Sequence, residues 1–410
     1  MIYHLEENLK LGKFVTAKLP RQAPIYSWFS YPHSFSRELV HELLDLFGAT
    51  TNDWVLDPYV GAGTTLLACR EKSIPALGID ELPLSVFVSN TKVQSYNPDE
   101  LNTCLDSFSP KRPQNDVFGS VPVVDIAFTQ EVRAKISEIY GWATDLPSKP
   151  RNFFLLALLS ILEEISQTAK SGGWLKLIDN TVDCNKVVDI FKTKARLMIS
   201  DLRIITLPNN SGERWYAVLG DARKIEKPGC PIRYVITSPP YLNRHDYTRV
   251  FALEMALHFV RTNADLIAIR SQAMRSHVEA KPPKDLSTAD YHQPQCLKDI
   301  IQRLRVSASK ADRARVPKMV EGYFEDMYAC LRSLSMLVES GGAIAFVLGN
   351  VRFSGVSIPV DEIVAEIGEQ VNLRVEKIII ARYRGNSAQQ MKEFGRDPAR
   401  ESIIIWRKSN

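Results

Sequence analysis

The sequence predicts an α/β fold built on a mostly parallel sheet, and three observations lead to this prediction. Short apolar runs alternate with segments of helical periodicity along most of the 410 residues. A glycine-rich turn, residues 61–63, follows one of these runs, and acidic or hydroxyl side chains end several others. Strands that alternate with helices form parallel sheets, and these sheets bind ligands at the carboxyl ends of their strands.

The composition is that of an ordinary globular protein. Hydrophobic residues make up 45% and charged residues 24%, with a formal net charge of +4. That charge permits nucleic-acid binding through a local basic patch but does not require it. The six cysteines have no paired spacing, so we predict neither a disulfide framework nor a metal site. Because the sequence shows no signal pattern and no apolar stretch of bilayer length, we expect a cytoplasmic protein without membrane contact.

The N-terminal part is predicted to contain a leader and an aromatic segment. Residues 1–25 have no regular pattern and are predicted to be irregular. The aromatic segment, residues 26–35, precedes an amphipathic helix at residues 37–47. These aromatic side chains could either line a ligand site or fix the N-terminal segment to the core.

A glycine loop follows the first predicted strand of the sheet, residues 54–57. The string DPYVGAGTT occupies residues 57–65, and a helix is predicted from Thr64 to about residue 72. Glycine lets the main chain turn sharply and lets a ligand approach it closely. A lone Gly-x-Gly would be a weak signal, but the full string is far more specific.

A carboxylate, Asp80, ends the second predicted strand, residues 76–80. An acid at this distance from a glycine loop binds ribose hydroxyls in dinucleotide folds. Alternatively, Asp80 or Glu81 could cap a helix that begins at Pro83. We favour ribose binding because the glycine loop precedes this strand, and we prefer Asp80 because it is the last strand position.

A helical insertion, residues 96–213, separates the second strand from the third. Its apolar residues, notably those from 153 to 165, recur at helical spacing and predict helices with a small core of their own. The sheet is predicted to resume at residues 215–219, which are followed by Asp221 and Ala222. An acid in that position could face a ligand or form an ordinary turn.

Two prolines end the next strand. Residues 234–236 predict a short buried strand, and the string TSPPY occupies residues 237–241. Proline cannot donate a hydrogen bond to a sheet, so the strand must end there. We therefore expect a hydroxyl, a rigid turn and an aromatic ring at the ligand-binding edge of the sheet.

A basic stretch, residues 264–318, is predicted to be an insertion within the sheet domain, because it is polar and has little apolar periodicity. Its cations could contact a phosphate backbone or belong to a solvated surface helix: Arg303, Arg305, Lys310, Arg313, Arg315 and Lys318. Beyond it we predict a helix, a strand, a second helix and two closing strands, at residues 321–338, 343–348, from 359, 375–381 and 402–406.

These strings resemble the motifs of S-adenosylmethionine-dependent DNA amino-methyltransferases, which methylate N4 of cytosine or N6 of adenine. TSPPY resembles their catalytic motif, and DPYVGAGTT resembles their cofactor loop. The resemblance implies a Rossmann-like class I methyltransferase fold, with a catalytic domain at residues 26–95 and 214–410 whose sheet ends in an antiparallel hairpin. It also implies S-adenosylmethionine as the cofactor and double-stranded DNA as the substrate.

The resemblance also assigns roles to residues. It implies cofactor contacts from the aromatic segment, the glycine loop and the acids that end strands: Ser34, Phe35, Asp57, Pro58, Tyr59, Gly61, Gly63, Thr64, Thr65, Asp80, Asp221 and Ala222.

The catalytic string is Ser238, Pro239, Pro240 and Tyr241. The Ser238 hydroxyl and the Pro239 carbonyl would accept hydrogen bonds from the target amine, and Tyr241 would stack on a flipped base. Asp246, Tyr247 and Arg249 would lie at the rim, near the flipped nucleotide and its phosphates, and Arg303, Arg305, Arg313 and Arg315 would contact the DNA backbone.

Several alternatives remain open. SPPY is more usual among N4-cytosine enzymes and DPPY among N6-adenine enzymes, so we favour N4-cytosine. A tRNA guanine-N2 methyltransferase has the same motif order, and an inactive recognition subunit is a third interpretation. Target recognition must lie in residues 96–213, in residues 264–318 or in a separate subunit. A cognate restriction endonuclease is an expected partner.

Overall fold

The computed structural model describes residues 3–16, 23–111, 116–180, 182–210, 213–283, 285–286, 288–307, 312–385, 391–393, 395 and 397–409. Lys310, one of the predicted phosphate contacts, lies outside these residues.

Twelve strands form one large sheet and two hairpins within the described residues. In chain order the strands are β1 Leu5–Glu7, β2 Trp54–Asp57, β3 Ala76–Asp80, β4 Thr168–Ser171, β5 Trp174–Leu177, β6 Trp215–Leu219, β7 Ile232–Thr237, β8 Val338–Gly349, β9 Val351–Phe353, β10 Val356–Ile358, β11 Leu373–Arg384 and β12 Ala399–Lys408.

The large sheet has the strand order β1-β11-β12-β8-β7-β2-β3-β6. Strands β6, β3, β2, β7 and β8 run parallel to one another, whereas β12 is antiparallel to both β8 and β11. This confirms the predicted α/β fold, with a mostly parallel sheet and a C-terminal antiparallel hairpin. The strand order reverses between β2 and β7, and such a switch point opens a crevice at the carboxyl ends of the strands.

Fourteen α-helices accompany the sheet in the described part of the chain: α1 Arg37–Phe47, α2 Thr64–Glu71, α3 Pro83–Val93, α4 Pro98–Asp106, α5 Pro122–Ala127, α6 Gln130–Thr144, α7 Ser148–Ile161, α8 Val187–Ile204, α9 Tyr247–Val250, α10 Ala252–His258, α11 Asn263–Gln272, α12 Gln295–Ser307, α13 Arg315–Leu337 and α14 Val360–Glu369. Helices α1 to α3 pack on one face of the sheet and α12 to α14 on the other. Alternate residues of each strand therefore enter different cores, as Val55 and Leu56 do.

The N-terminal segment is more ordered than the sequence predicted. Strand β1 pairs in parallel with β11 at the edge of the sheet, and the Asn8 amide donates to the Ile380 carbonyl oxygen at 3.0 Å. A 3₁₀ helix, Leu9–Lys13, follows. The prediction of an irregular leader was wrong here because β1 is only three residues long, too short for a period of two to be recognised.

The insertion does not have a core of its own. Its buried side chains belong to the same cluster as those of α1 to α3. Phe153 of α7, for example, packs edge-on against Trp28, with 5.3 Å between the ring centroids. Helix α7 has apolar side chains on all its faces, so each face must be buried against another part of the protein. The insertion also contains the β4–β5 hairpin, which its helical periodicity did not predict.

The basic stretch is also more regular than predicted. Helix α12 buries Leu297, Ile300, Ile301 and Leu304, an i, i+3, i+4, i+7 pattern that indicates an amphipathic helix. The many cations on its other face obscured that pattern in the sequence. Among the described residues, no helix combines the length and apolarity needed to span a membrane.

Candidate active site

A cleft of about 910 Å³, which includes open solvent at its mouth, lies where β2, β3 and β7 end. It brings together residues from the aromatic segment, the glycine loop and the catalytic string. The residues predicted from the sequence that line it are Ser34, Phe35, Asp57, Tyr59, Gly61, Thr64, Asp80, Ser238, Pro240, Asp246 and Tyr247.

Asp57 lies where β2 meets the cleft and is held by a hydrogen-bond network. One carboxylate oxygen accepts from the Tyr59 amide at 3.1 Å and from the Thr237 hydroxyl at 2.6 Å, and the other accepts from the Thr65 hydroxyl at 2.6 Å. Burial nevertheless raises the pKa of Asp57 to about 6, and the three hydrogen bonds only partly oppose it. Thr65 does not line the cleft, so it acts on a ligand only by positioning Asp57.

The glycine loop is shaped by close packing as well as by the cleft. Gly61 and Gly63 both have left-handed backbone angles, with φ of +49° and +78°. A side-chain carbon on Gly63 would lie 2.9 Å from the Ser89 hydroxyl oxygen and 3.0 Å from the Ser89 Cα. Gly63 is therefore required for the turn and for the packing of α3, and neither it nor Pro58 lines the cleft.

Asp80 connects the glycine loop to α3. Its carboxylate oxygens accept from the Gly61 amide and from the Leu82 amide, both at 2.9 Å. Asp80 lines the cleft, which its predicted ribose contact requires, whereas the alternative of a helix cap was wrong: Leu82 is the N-cap of α3, and no side chain caps it. Burial raises the pKa of Asp80 to about 6.

Glu81 lines the cleft beside Asp80, although sequence reasoning did not select it. It forms an ion pair with Arg223 at 2.8 Å. Burial raises the pKa of Glu81 above its usual range, and the Arg223 guanidinium opposes this rise. Its position directly after Asp80 was the one signal in the sequence that could have identified it.

Asp221 and Ala222 do not line the cleft, contrary to their predicted contact with the cofactor. The Asp221 carboxylate instead accepts hydrogen bonds from Arg223, at 2.9 Å from Nε and 2.8 Å from Nη2. Arg223 is buried and also contacts the buried Asp326 at 3.2 Å. Asp221 thus compensates a buried cation, a requirement that the sequence around it does not reveal.

Ser238 and Pro240 face the cleft at the end of β7. The Ser238 hydroxyl donates to the Val347 carbonyl oxygen at 3.1 Å. Pro239 is not a lining residue.

Tyr241 is turned into the protein. Only 6% of it is exposed, it does not line the cleft, and its hydroxyl donates to Glu401 at 2.7 Å. The Arg384 guanidinium lies 5.7 Å from its ring centroid. The structure therefore does not present Tyr241 as an open stacking surface, because a long-range partner on β12 holds its hydroxyl.

Aromatic rings and histidines form one side of the cleft instead. Tyr31 stacks on Tyr247, with 5.4 Å between the ring centroids. The ring centroid of His245 lies 4.7 Å from that of His33 and 4.7 Å from that of Tyr247. His245 is buried, its Nε2 has no hydrogen-bond partner among the described residues, and burial lowers its pKa to about 4. Sequence reasoning did not select His245, Tyr31 or His33 as site residues.

The first half of the aromatic segment fixes the N-terminal part of the chain to the core, and the second half lines the cleft. Tyr26, Trp28 and Phe29 are buried in the core, where the Trp28 ring nitrogen donates to Asp201 at 3.0 Å. Residues 31 and 33–35 line the cleft.

The rim residues do not all reach the cleft. Arg249 does not line it; this side chain, 43% exposed, pairs with Glu279 at 3.0 Å. Arg315 lies 3.9 Å from the same carboxylate. Arg303 instead borders a shallow depression next to Val356, and Arg305 and Arg313 are exposed. The structure therefore places Arg249 and Arg315 near Glu279 and Arg303 and Arg305 on α12, and Arg313 belongs to neither group.

The cleft suits a ligand that carries both cationic and hydroxyl groups. Asp57, Asp80 and Glu81 supply carboxylates, and Tyr31, Phe35 and Tyr59 supply aromatic surface. Gly61 lines the cleft with a left-handed backbone, a conformation that glycine adopts without strain and that brings its main chain next to a ligand in the cleft. These acceptors and surfaces fit S-adenosylmethionine, which combines a sulfonium, an ammonium, ribose hydroxyls and an adenine ring.

Comparisons with known proteins identify relatives along the whole chain. A DNA methylase family model of the N6/N4 type matches residues 7–83, the region of the glycine loop. The Type II methyltransferase M.BsoBI of Geobacillus stearothermophilus is 28% identical over 97% of this chain and 88% of its own. The Type II methyltransferase M.AvaI of a Nostoc species is 29% identical over 98% of this chain and 90% of its own.

Similarity to solved structures is weaker. The crystal structure of TrmN from Thermus thermophilus matches 91% of this chain and 48% of its own, with 10% identity and a TM-score of 0.27. The fold assignment therefore rests on the strand order and directions described above.

Proposed function

We propose, from its similarity to the DNA methylase family model and to the Type II methyltransferases, that this chain is an N6/N4 amino-methyltransferase that methylates N4 of cytosine in double-stranded DNA as the modification enzyme of a restriction–modification system. Methyl transfer to an amine of DNA, with S-adenosylmethionine as donor, follows from this similarity. The choice of cytosine, the residue roles and a cognate endonuclease are the parts that we propose beyond it.

The cofactor is proposed to bind along the glycine loop. Asp57 and Asp80 would receive its cationic and hydroxyl groups, and Phe35 and Tyr59 would cover its apolar parts. Glu81 is a further candidate for the ribose, because both oxygens of Asp80 already accept a main-chain hydrogen bond. When bound, S-adenosylmethionine supplies an electrophilic methyl group on its sulfonium.

The observation that carries the proposal is the hydrogen bond of Ser238. Its hydroxyl proton is donated to the Val347 carbonyl oxygen, so its lone pairs remain free to accept. Ser238 lines the cleft, and an acceptor there suits the N–H of an exocyclic amine. Ser238 would hold that amine in a reactive orientation, so that catalysis depends chiefly on positioning.

Cytosine is favoured over adenine by the residue in this position. SPPY is more usual in N4-cytosine enzymes, so Ser238 in place of an aspartate supports cytosine. The target base would leave the duplex to reach the cleft, because its amine cannot be reached inside the stack. The half-buried rings of Tyr31 and Tyr247, which line the cleft, would supply aromatic surface for it, a role that the sequence had assigned to Tyr241.

The decisive experiment identifies the methylated nucleoside. Purified protein would be incubated with labelled S-adenosylmethionine and either plasmid DNA or bulk tRNA, and the nucleosides separated by chromatography after digestion. We expect label in N4-methylcytosine from DNA and none from tRNA. N6-methyladenine alone would contradict the choice of base, and label in tRNA alone would contradict DNA as the substrate.

A further inference from the structure

The β4–β5 hairpin of the insertion lies directly against the segment that leads into the cleft. A side-chain carbon built on Gly173 would lie 3.1 Å from the Arg244 carbonyl oxygen and 3.3 Å from the Asp246 amide nitrogen. Asp246 and its neighbour His245 line the cleft. The hairpin therefore adjoins the active site, although more than sixty residues separate the two in the sequence.

Buried interactions fix the hairpin in this position. The Lys170 ammonium forms an ion pair with Glu254 at 2.6 Å, and the side chain of Glu254 is only 2% exposed. The same ammonium lies 4.6 Å from the ring centroid of Phe251. Leu175 packs against the main hydrophobic core. The hairpin is consequently a rigid part of the catalytic layer rather than a free loop.

The outer face of β5 combines an aromatic ring with a cation. Side chains alternate along a strand, so Trp174 and Lys176 share the face opposite the inward Leu175. Trp174 is 60% exposed, and Leu177 and Ile178 after it are 58% and 39% exposed. Residues 168–178 contain two lysines and no acid. Leu177 lies on the other face by the same alternation, so the hairpin exposes apolar side chains on both faces, with Trp174 the largest of them.

We propose that Trp174 enters the DNA duplex beside the cleft and fills the space left by the base that turns into it, while Lys176 contacts a neighbouring phosphate. The inference rests on the proposed function and names the element that opens the duplex. Apolar side chains that insert between bases partly unstack them, and an aromatic ring replaces some of the lost stacking. The absence of acids in the hairpin and the presence of Lys176 favour a polyanion over a protein partner as the occupant.

The test compares Trp174→Ala and Trp174→Phe with a matched control, Ile204→Ala. Ile204 is 70% exposed and ends α8 of the same insertion. Sequencing modified bases in plasmid DNA from an expressing host would first give the methylated site. Two duplexes containing that site would then be compared, one with the target base paired and one with it mismatched, because a mismatched base needs less free energy to leave the stack.

We expect Trp174→Ala to slow single-turnover methylation of the paired duplex by roughly 5- to 150-fold, which corresponds to the ~1–3 kcal/mol of one stacking interaction. The mismatched duplex should restore most of the rate. Trp174→Phe should retain most of the activity on both duplexes. Ile204→Ala should match the wild type, and all variants should bind S-adenosylmethionine with unchanged affinity.

Wild-type rates for Trp174→Ala on the paired duplex would overturn the proposal. An equal loss on both duplexes would also overturn it, since a wedge matters only where a base pair must open. So would a variant that keeps full DNA methylation but no longer binds a protein partner. A wild-type protein that methylates no DNA would instead contradict the proposed function, on which the inference depends.

Discussion

Ser238 illustrates how one hydrogen bond can define a chemical role. Donation to Val347 leaves its oxygen as an acceptor toward the cleft. Ser238→Ala should reduce methyl transfer by about 10²-fold or more, the loss typical of one well-placed polar group in a transition state. Single-turnover rates would be measured with cofactor affinity in parallel, and that affinity should not change. Full activity in this variant would remove Ser238 from the mechanism.

Asp57 should couple cofactor binding to stability through its pKa. Its folded pKa of about 6 lies above the unfolded value of about 3.9, so the folded state binds more protons between these values. Stability therefore falls as pH rises through this window, and above it the folded state bears the full cost of a buried charge.

Asp57→Asn should accordingly stabilise the fold at pH 8 by about 1–3 kcal/mol, with the difference from the wild type vanishing near pH 4. The Thr65 hydroxyl can then donate to the Ile236 carbonyl oxygen, 3.4 Å away. The same variant should bind S-adenosylmethionine more weakly. Urea unfolding at both pH values is the measurement, and a stability difference independent of pH would contradict the assignment of this titration to Asp57.

At the scale of elements, a buried ion network joins α13 to the cleft. Asp326 of α13 accepts from the Arg275 main-chain amide at 2.8 Å and from its Nε at 3.0 Å, and it also contacts Arg223. Arg275 lies between two residues that line the cleft, Met274 and Ser276. The network thus holds one wall of the cleft against the second layer of helices.

Asp326→Ala should lower the free energy of unfolding by about 3–5 kcal/mol, because it leaves two buried arginines without this carboxylate. Cofactor affinity should also fall as residues 274–276 loosen. Urea unfolding and calorimetry would measure the two effects. Glu325→Ala is a suitable control, since Glu325 pairs with Arg275 at 2.8 Å but is partly exposed. A similar small loss in both variants would show that the network is not important for stability.

The division of the basic residues into two groups gives a second prediction at this scale. Arg249 and Arg315 surround Glu279 near the rim, whereas Arg303 and Arg305 lie on α12. Replacing the first pair with glutamine should weaken DNA binding at all sequences and reduce the salt slope by about 1 for each phosphate that the protein no longer neutralises. The second pair, replaced in the same way, is the control. Equal slopes for both double variants would contradict this division.

At the scale of the whole molecule, the insertion and the catalytic domain share one core. Buried residues of α6, α7 and α8 belong to the same cluster as those of α1 to α3. Thermal unfolding should therefore show one cooperative transition by both far-UV and near-UV circular dichroism. A chain in which a short linker replaces residues 96–213 should fail to fold, because Trp28 and one face of α3 would lose the apolar side chains that bury them. Two separate transitions, or a folded deletion variant, would contradict the shared core.

The sequence by itself determined the order of the seven main sheet strands, β2, β3, β6, β7, β8, β11 and β12, and the features that end several of them. Helix α1, strand β2 and strand β3 have the predicted bounds, and the glycine loop and TSPPY string lie at strand ends. These features are local: a period of two or 3.6 residues, a glycine that permits a left-handed turn, and a proline that ends hydrogen bonding. Most of the predicted cofactor loop lines the cleft for the same reason.

Only the tertiary structure decided which side chains face the cleft and which the interior. Asp221 faces the buried Arg223, and Tyr241 binds Glu401, 160 residues away in the sequence. The tertiary structure also placed the β4–β5 hairpin beside Asp246 and merged the insertion with the main core. The physical reason is that a buried polar or charged group must be compensated by whichever partner lies near it in space, and no local pattern in the sequence identifies that partner.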